Sequence, residues 1–293
     1  MRWLGLAVGT LAIAWIATWI PTQDFADAIA RVGIASVLMI CAWHLVGVVL
    51  DARAWQLLLD GRATLWQCVM WRWIGESLNS LLPFAQVGGD VVRAHGLGRR
   101  TGSPQPVAAS VALDVLSTAA AQVPFALLGL VLWAETLLWS MVVSVTLLAA
   151  GWRAWRRIRD VCLRLLRRHP RWGEIHAYVE ALTSRQWWRA FAWHLLAWVS
   201  GAGEIYLALW LVGHPVSITT ALLIESVLQS ARSLAFMVPA GLGIQEGTLL
   251  GIGVALGIPT PVVASIVVLK RAREVLLGAG GLLLWGVSVR DVR

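Results

Sequence analysis

Residues 78–90 read LNSLLPFAQVGGD, and residues 236–246 read FMVPAGLGIQE. Each stretch interrupts an apolar run with a proline, then glycines, then an acid seven positions after the proline, at Asp90 and Glu246. Proline removes a backbone donor and clashes with the preceding turn, so each stretch predicts a broken helix. In hydrocarbon such a break is tolerated only inside the protein or beside a water-filled cavity. Two breaks at corresponding places in two halves of a chain indicate a transporter's binding site.

The composition indicates a helical membrane protein. Hydrophobic residues make up 58% of the 293 and charged residues only 14%, with a mean hydropathy of +0.72. A soluble globular chain carries about 25% charged residues, so this composition excludes a soluble fold. Several apolar runs approach the ~20 residues that cross ~30 Å of hydrocarbon. We therefore predict an all-α integral membrane fold, a polytopic helical bundle forming a single domain over residues 1–293.

The basic residues are concentrated where the positive-inside rule places a cytoplasmic loop. The formal net charge is +8, and ten arginines lie between residues 153 and 189, between two apolar segments. Apolar residues recur there at helical spacing, which predicts an amphipathic helix resting on anionic headgroups. The arginines expected at the membrane surface are Arg156, Arg157, Arg164, Arg167 and Arg168. This location favours a topological role and argues against nucleic-acid binding.

Hydropathy and loop charge together predict the topology. Six full spans are expected, at about 4–20, 32–50, 105–133, 136–152, 190–212 and 262–286. The broken segments lie between them, at about 64–90 and 218–257. With both termini cytoplasmic, the first broken segment starts and ends on the cytoplasmic side and the second on the external side. Each is either a re-entrant hairpin or a pair of crossings, and their opposite entry predicts an inverted repeat.

Several ionisable residues lie within the apolar segments. These are Asp114, Glu204, Glu225, Arg232, Lys270, Arg271, Arg273 and Glu274. Insertion scales assign roughly 2.5–3.5 kcal/mol to a charged side chain at a helix centre, so these residues must be paired or face a polar cavity. The sequence is compatible with two interpretations: the charges neutralise each other between helices, or they line a polar pathway through the bundle.

Sequence spacing suggests which of these groups share a helix face. Glu225 and Arg232 are seven positions apart, and Lys270 and Glu274 are expected to form an i, i+4 pair. His44 and His194 lie alone on apolar segments, where we expect ordinary hydrogen bonds between helices.

No catalytic constellation is present in the sequence, so we expect no enzymatic activity, no metal and no cofactor. HExxH, GxSxG and Gly-rich nucleotide-binding motifs are absent, and the cysteines at positions 41, 68 and 162 are scattered. Arg93, Arg99 and Arg100 follow the first break directly. They could bind a headgroup phosphate or simply hold the cytoplasmic side.

Four strings resemble one family over roughly residues 45–290. They are NSLLPFAQVGGDVVRAHGLGRRTG (79–102), AASVALD (108–114), VPAGLGIQEGTLLGIGVALGIP (238–259) and VVLKR (267–271). In order and spacing they resemble the flippase-like membrane domain of lysylphosphatidylglycerol synthases, including stand-alone relatives associated with hopanoid biosynthesis. The resemblance implies movement of a phospholipid or related polar lipid between leaflets of the bacterial inner membrane.

The resemblance also implies where the headgroup would pass. The first motif falls on Pro83, Gly88, Gly89, Asp90 and Arg93, the second on Pro239, Gly241, Gly243 and Glu246, with Asp114 and Arg271 on later helices. To these we add Asn79, Glu225 and Arg232. The chain departs from the family at Val115, where members often have an arginine. We also expect no soluble synthase domain, so aminoacyl transfer from tRNA is not implied.

The main alternative is an accessory membrane subunit of a lipid-biosynthesis complex that docks an enzyme through the basic loop and transports nothing. An intramembrane enzyme is the weakest reading, because no nucleophile–base pair can be nominated. The expected partners are lipids with an anionic or phosphate-bearing headgroup. The sequence is also compatible with a homodimer or with a partner protein of lipid biosynthesis.

Overall fold

The computed structural model describes residues 32–81, 88–133, 173–234 and 243–290. Within these ranges the chain forms helices joined by short turns, which confirms the all-α prediction. The helices are α1 (Ile34–Leu58), α2 (Leu65–Leu81), α3 (Gly88–Thr101), α4 (Pro104–Trp133), α5 (Gly173–Ala181), α6 (Ser184–Leu211), α7 (Ile218–Leu234), α8 (Ile244–Ala255) and α9 (Thr260–Arg290).

Three of the described helices, α1, α4 and α6, are long and apolar enough to cross a membrane. Their 25 to 30 residues rise by about 37 to 45 Å, more than the ~30 Å of hydrocarbon. α9 is longer still, but Lys270 to Glu274 place four charges near its centre. The spans predicted at 4–20 and 136–152 lie outside the described residues, so the number of six stays a prediction.

Each broken segment forms two helices that pack against each other: α2 with α3, and α7 with α8. A Cβ on Gly89 would collide with the carbonyl oxygen of Gly75, and one on Gly96 would collide with the Trp71 ring, so α2 and α3 are antiparallel and closely packed. The arms have 12 to 17 residues, or about 18 to 25 Å. That length falls short of the hydrocarbon thickness, which favours re-entrant hairpins.

The packing relates helices α1–α4 to helices α6–α9 by an approximate two-fold axis. α2 packs against α9 as α7 packs against α4, and α1 packs against α9 as α6 packs against α4. The contacts within α1–α4 likewise recur within α6–α9, helix for helix. The two-fold operation exchanges α1 and α6, so the contact between them maps onto itself and lies on the two-fold axis.

The direction of α1 and α6 decides what kind of repeat this is. His44 of α1 contacts Glu204 of α6, and Asp51 of α1 contacts His194 of α6. Later residues of α1 therefore meet earlier residues of α6, and the two helices are antiparallel. A repeat whose related helices run in opposite directions across the membrane is an inverted repeat. The packing thus supports the inverted topology predicted from loop charge.

The short helix α5 packs against α4 after the basic loop. Its Tyr178 hydroxyl donates to the backbone carbonyl of Leu58, and the Arg62 guanidinium lies 4.9 Å from the ring centroid. Burial raises the pKa of Tyr178, since an ionised phenolate would lose its hydration there. The amphipathic helix and surface arginines predicted within 153–172 lie outside the described residues.

Candidate functional site

A cavity of about 570 Å³ lies between the two halves, lined by side chains of α1, α2, α3, α4, α6, α7 and α9. Its volume is within the ~300–1,000 Å³ of small-molecule sites. Seven carboxylates line it, at Asp51, Glu76, Asp90, Asp114, Glu204, Glu225 and Glu274, with five basic side chains, at Arg72, Arg93, Arg232, Lys270 and Arg273. The wall is therefore strongly ionic in a bundle whose outer surface is apolar.

One cluster of ion pairs joins the four helices of the first half around Asp114, whose side chain is fully buried. Asp114 Oδ2 accepts from Arg72 Nη1 at 2.7 Å and from Arg93 Nη1 at 2.8 Å. Arg93 Nε also donates to Asp90 at 2.9 Å, and Arg72 Nη2 donates to Asp51 at 2.9 Å. Two guanidinium groups thus compensate the one buried carboxylate of α4.

Asp114 is neutralised even though Val115 replaces the arginine that family members often carry at the next position. The compensating charges come from α2 and α3 instead. The pairing therefore needs no neighbour along the chain.

A second cluster lies in the other half, around Glu204 of α6. Its carboxylate accepts from Arg273 and lies 3.5 Å from Lys270 Nζ, which is also 3.5 Å from Glu225 of α7. The predicted Lys270–Glu274 pair is wrong, because Lys270 reaches the carboxylates of α6 and α7 while Glu274 contacts Arg271 and Arg273. Spacing along one helix allowed the pair, but neighbouring helices supply nearer partners.

The second family motif builds the contact between α8 and α9. Glu246 Oε2 accepts from the Gly243 backbone N–H at 2.8 Å, which caps the start of α8, and Arg271 donates to the same carboxylate. Neither Glu246 nor Arg271 lines the cavity. Gly243 has a φ of 78°, a left-handed conformation that glycine adopts without strain.

The first family motif has a comparable capping contact but also reaches the cavity. Asn79 Oδ1 accepts from the Gly89 backbone N–H at 2.8 Å, so the end of α2 caps the start of α3. Gly88 and Gly89 supply backbone, whereas Asn79 and Asp90 line the cavity beside Arg93.

Arg232, on the cavity wall, differs from the other basic residues there. Its Nη1 donates to the neutral Gln245 side chain at 3.1 Å. Each of the other four has a carboxylate within 4 Å, whereas Arg232 has none among the described residues. The nearby Glu225 contacts Gln229 and Lys270 instead. Glu225 and Arg232 both line the cavity, in keeping with the shared helix face that their spacing predicted.

Both histidines make the contacts between helices that were expected, but each sits between two carboxylates. His44 Nδ1 lies 2.9 Å from Glu204 and its Nε2 lies 2.7 Å from Glu76. His194 Nδ1 lies 2.7 Å from Asp51 and its Nε2 lies 3.1 Å from Asp114. The sequence predicted hydrogen bonds between helices, but not that each ring would lie between two carboxylates.

The cavity gathers six of the predicted site residues: Asn79, Asp90, Arg93, Asp114, Glu225 and Arg232. Five other predicted site residues do not line the cavity and instead hold the adjoining helices together through backbone contacts, helix caps and an ion pair: Gly88, Gly89, Gly243, Glu246 and Arg271. Pro83, Pro239, Gly241 and the arginines 156, 157, 164, 167 and 168 lie outside the described residues.

Sequence reasoning missed three charged residues of the wall, Asp51, Arg72 and Glu76. Arg72 and Glu76 are four apart within an apolar stretch, which was a usable signal for a buried charged face. Asp51 directly follows the span predicted to end at 50, so it counted as a flanking charge. In the structure α1 continues to Leu58, which carries Asp51 into the bundle.

The chain is thus a helical membrane protein in which an ionic cavity lies between two inverted halves. The chain belongs to the family described as the lysylphosphatidylglycerol synthase TM region, whose model matches residues 2–280. A comparison with curated proteins gives no match. Family membership confirms the resemblance found in the motifs and relates this membrane protein to lipid modification or transport.

Proposed function

We propose that this protein moves a phosphate-bearing polar lipid between the leaflets of the bacterial inner membrane. The headgroup would pass through the ionic cavity while the acyl chains stay in the bilayer. The observation that carries this proposal is Arg232, a guanidinium on the cavity wall whose contact in the described chain is a neutral amide.

The chemistry of Arg232 suits a headgroup phosphate. A guanidinium presents paired N–H donors that match phosphate oxygens, and it stays charged at any physiological pH. Arg72, Arg93, Lys270 and Arg273 already contact carboxylates, so they have less capacity left for an anion. The carboxylates near Arg232 would meet any cationic moiety that the headgroup also carries.

The architecture favours transport over static binding. Transporters built from inverted repeats place their substrate site at the repeat interface, and one half moves against the other to change its access. Here the cavity lies at such an interface, and each half carries one broken hairpin beside it. The outer surface is apolar, with exposed side chains such as Ile34, Val254 and Leu283 available to contact lipid tails.

The proposal includes an orientation in the membrane and a class of partner. We place both termini on the cytoplasmic side and treat lipids as the partners, with no enzymatic step. A homodimer or an association with a lipid-synthesising enzyme would be compatible with the cavity. The sequence has no nucleotide-binding motif, so the transport would be downhill or coupled to an ion.

Leaflet exchange in proteoliposomes tests the proposal. The probes are fluorescent (NBD-labelled) phosphatidylglycerol and phosphatidylethanolamine, with dithionite quenching to count the label in the outer leaflet. Arg232→Gln should slow exchange roughly ten- to a hundredfold, because a charged hydrogen bond contributes about 1.5–3 kcal/mol. Arg189→Gln is the matched control, since Arg189 is exposed, lies away from the cavity and carries the same charge.

Two results would overturn this function. Wild-type protein that exchanges neither probe would remove the transport proposal. Cellular activity that survives Arg232→Gln but is lost when the arginines of 153–168 are replaced would favour the accessory-subunit reading.

A further inference from the structure

His194 occupies a fully buried position between the two halves of the molecule. Its side chain has no exposed surface and does not line the cavity. Its Nδ1 lies 2.7 Å from Asp51 Oδ1 on α1, and its Nε2 lies 3.1 Å from Asp114 Oδ1 on α4. The Thr118 hydroxyl lies 3.1 and 3.2 Å from the two ring nitrogens.

The two carboxylate contacts favour an additional proton on the ring. An ionised carboxylate has no hydrogen to donate, so a ring nitrogen facing one must itself be the donor. A neutral imidazole has a single N–H and can satisfy one carboxylate, not two. Asp114 Oδ1 is buried and has no hydrogen-bond partner among the described residues, and His194 Nε2 lies 3.1 Å from it. A second ring proton, on Nε2, would place a donor beside this buried acceptor while Nδ1–H serves Asp51.

The charge of the cavity supports the same conclusion. Its wall carries seven carboxylates and only five lysine and arginine side chains. Residues 82–87 and 235–242 contain no ionisable residue. Glu76 and Asp90 are partly exposed and Glu274 is also paired with Arg271, whereas Asp114 is fully buried. A protonated His194 would offset negative charge at this buried carboxylate.

The groups around His194 oppose its protonation less than those around His44. The charged groups that face His194 are Asp51 of α1 and Asp114 of α4, with Arg72 of α2 reaching the far side of both carboxylates. α7 and α9 also pack against α6, but their charged side chains meet it at Glu204, about three turns away.

His44 is a different case because a cation shares its contact. Arg273 Nη1 lies 2.9 Å from His44 Nδ1, the nitrogen that also faces Glu204. That nitrogen can accept from the guanidinium, so the geometry of His44 does not require a second proton.

We propose that His194 is a proton-binding site whose loading and release accompany lipid movement. This inference rests on the proposed function. Asp51 connects the buried ring to the cavity, because it lines the wall and contacts Nδ1. On release, the Nδ1–H bond breaks and the proton passes to Asp51, leaving a neutral imidazole and a neutral carboxylic acid. A second transfer takes the proton from Asp51 to water in the cavity.

Release would then act on the interface between the halves. With the proton gone, the Nδ1 lone pair of His194 faces the Asp51 carboxylate, and an attraction between α6 and α1 becomes a repulsion. Arg72 bridges Asp51 and Asp114, so a shift at Asp51 reaches the cluster that holds α3. Protonation would bias one arrangement of the two halves over another.

Nuclear magnetic resonance of the protein in lipid nanodiscs tests the proton site itself. Six histidines are labelled with ¹³C and ¹⁵N, and the His194 signals are those lost in His194→Gln. The expected result at pH 7 is a ring with hydrogens on both nitrogens. A ring with one protonated nitrogen would overturn the proposal, and this readout does not depend on the identity of the lipid.

Proteoliposomes with an imposed pH gradient test the coupling. Wild-type exchange of NBD-phosphatidylglycerol should differ by up to about tenfold between opposite gradients of one pH unit, the ratio of proton activities. In His194→Gln the two rates should become equal, while exchange itself continues. His214→Gln, in the turn between α6 and α7, should behave like wild type.

The outcomes separate the two proposals. Wild-type exchange that ignores the gradient leaves lipid transport standing and overturns the coupling, as does an unchanged gradient dependence in His194→Gln. Absence of exchange in the wild type overturns the transport function and the coupling together, whereas the nuclear magnetic resonance result still decides whether His194 binds the proton.

Discussion

Arg72 of α2 and Asp114 of α4 are 42 residues apart in the chain, yet Arg72 Nη1 donates a 2.7 Å hydrogen bond to Asp114 Oδ2. Arg93 of α3 donates to the same oxygen at 2.8 Å. A single buried carboxylate therefore holds two guanidinium groups from two other helices. We therefore expect the stability of the first half to depend on this acceptor more than on any other charge of the cluster.

Asp114→Asn should destabilise the protein strongly. It removes the negative charge shared by the buried Arg93 and the partly buried Arg72, and breaking a buried ion pair from one side costs about 3–5 kcal/mol. Asp90→Asn is the matched control, because Asp90 is partly exposed and contacts Arg93 alone among the described residues. Its loss should be about 1 kcal/mol or less. Thermal unfolding in detergent measures both, and equal losses would contradict the central role of Asp114.

The repeat and the position of the site could be predicted from the sequence for identifiable reasons. The proline-to-acid spacing at Asp90 and Glu246 marks both breaks. Proline ends a helix, and in lipid the broken backbone must lie inside the protein or beside a water-filled cavity. Loop charge then gave the opposite orientation of the halves, which the antiparallel contact of α1 and α6 supports.

The partners of the charged residues could not be predicted in the same way. Helical spacing shows which groups can meet on one helix, but not whether another helix brings a nearer carboxylate. Lys270 shows this directly: Glu274 is one turn away, yet Glu204 and Glu225 are the groups it contacts. The partners of Arg72 and Asp51 were likewise not predictable, because both residues contact groups on other helices.

Gly89→Ala should disrupt the first hairpin. The added methyl group would collide with the Gly75 backbone and the Asn79 side chain that caps α3, so α2 and α3 would have to separate. We expect a loss of about 1–3 kcal/mol. Gly251→Ala serves as the control: Gly251 lies within α8 with open space around it, and alanine there should be neutral or stabilising by up to about 1 kcal/mol. A harmless Gly89→Ala would argue against the close contact.

Tyr178→Phe should weaken the attachment of α5. The change leaves the Leu58 carbonyl without its donor, at a cost of about 1–3 kcal/mol. Tyr206→Phe is the control, because Tyr206 lies on the exposed surface of α6. The free energy of unfolding, measured by chemical denaturation in detergent, should fall in the first variant and stay within about 0.5 kcal/mol in the second.

The same tyrosine predicts an alkaline pH dependence. Burial raises the pKa of Tyr178 in the folded protein, so the unfolded chain loses this proton first as the pH rises. The contribution of Tyr178 to stability is thus fully present below about pH 10, where an unfolded tyrosine titrates, and declines above it. Denaturation curves at pH 8 to 11 should show a smaller decline for Tyr178→Phe than for Tyr206→Phe. Parallel curves for the two variants would refute this assignment.

A disulfide between α1 and α6 should form if the two halves meet as described. A Cβ on Gly47 lies 3.2 Å from Ser200 Oγ, which fits a bridge with an S–S bond of about 2.0 Å and Cβ atoms about 3.8 Å apart. Gly47→Cys with Ser200→Cys, in a protein whose native cysteines are replaced by alanine, should cross-link on mild oxidation. A protease site inserted within 153–172 then separates the halves, so a linked pair keeps its full mass on a non-reducing gel.

The control is Gly47→Cys with Val199→Cys. Val199 faces outward on α6, so this protein should separate into two fragments. Equal cross-linking of both pairs would mean that α1 and α6 do not share this contact, and the antiparallel arrangement that supports the inverted repeat would lose its basis.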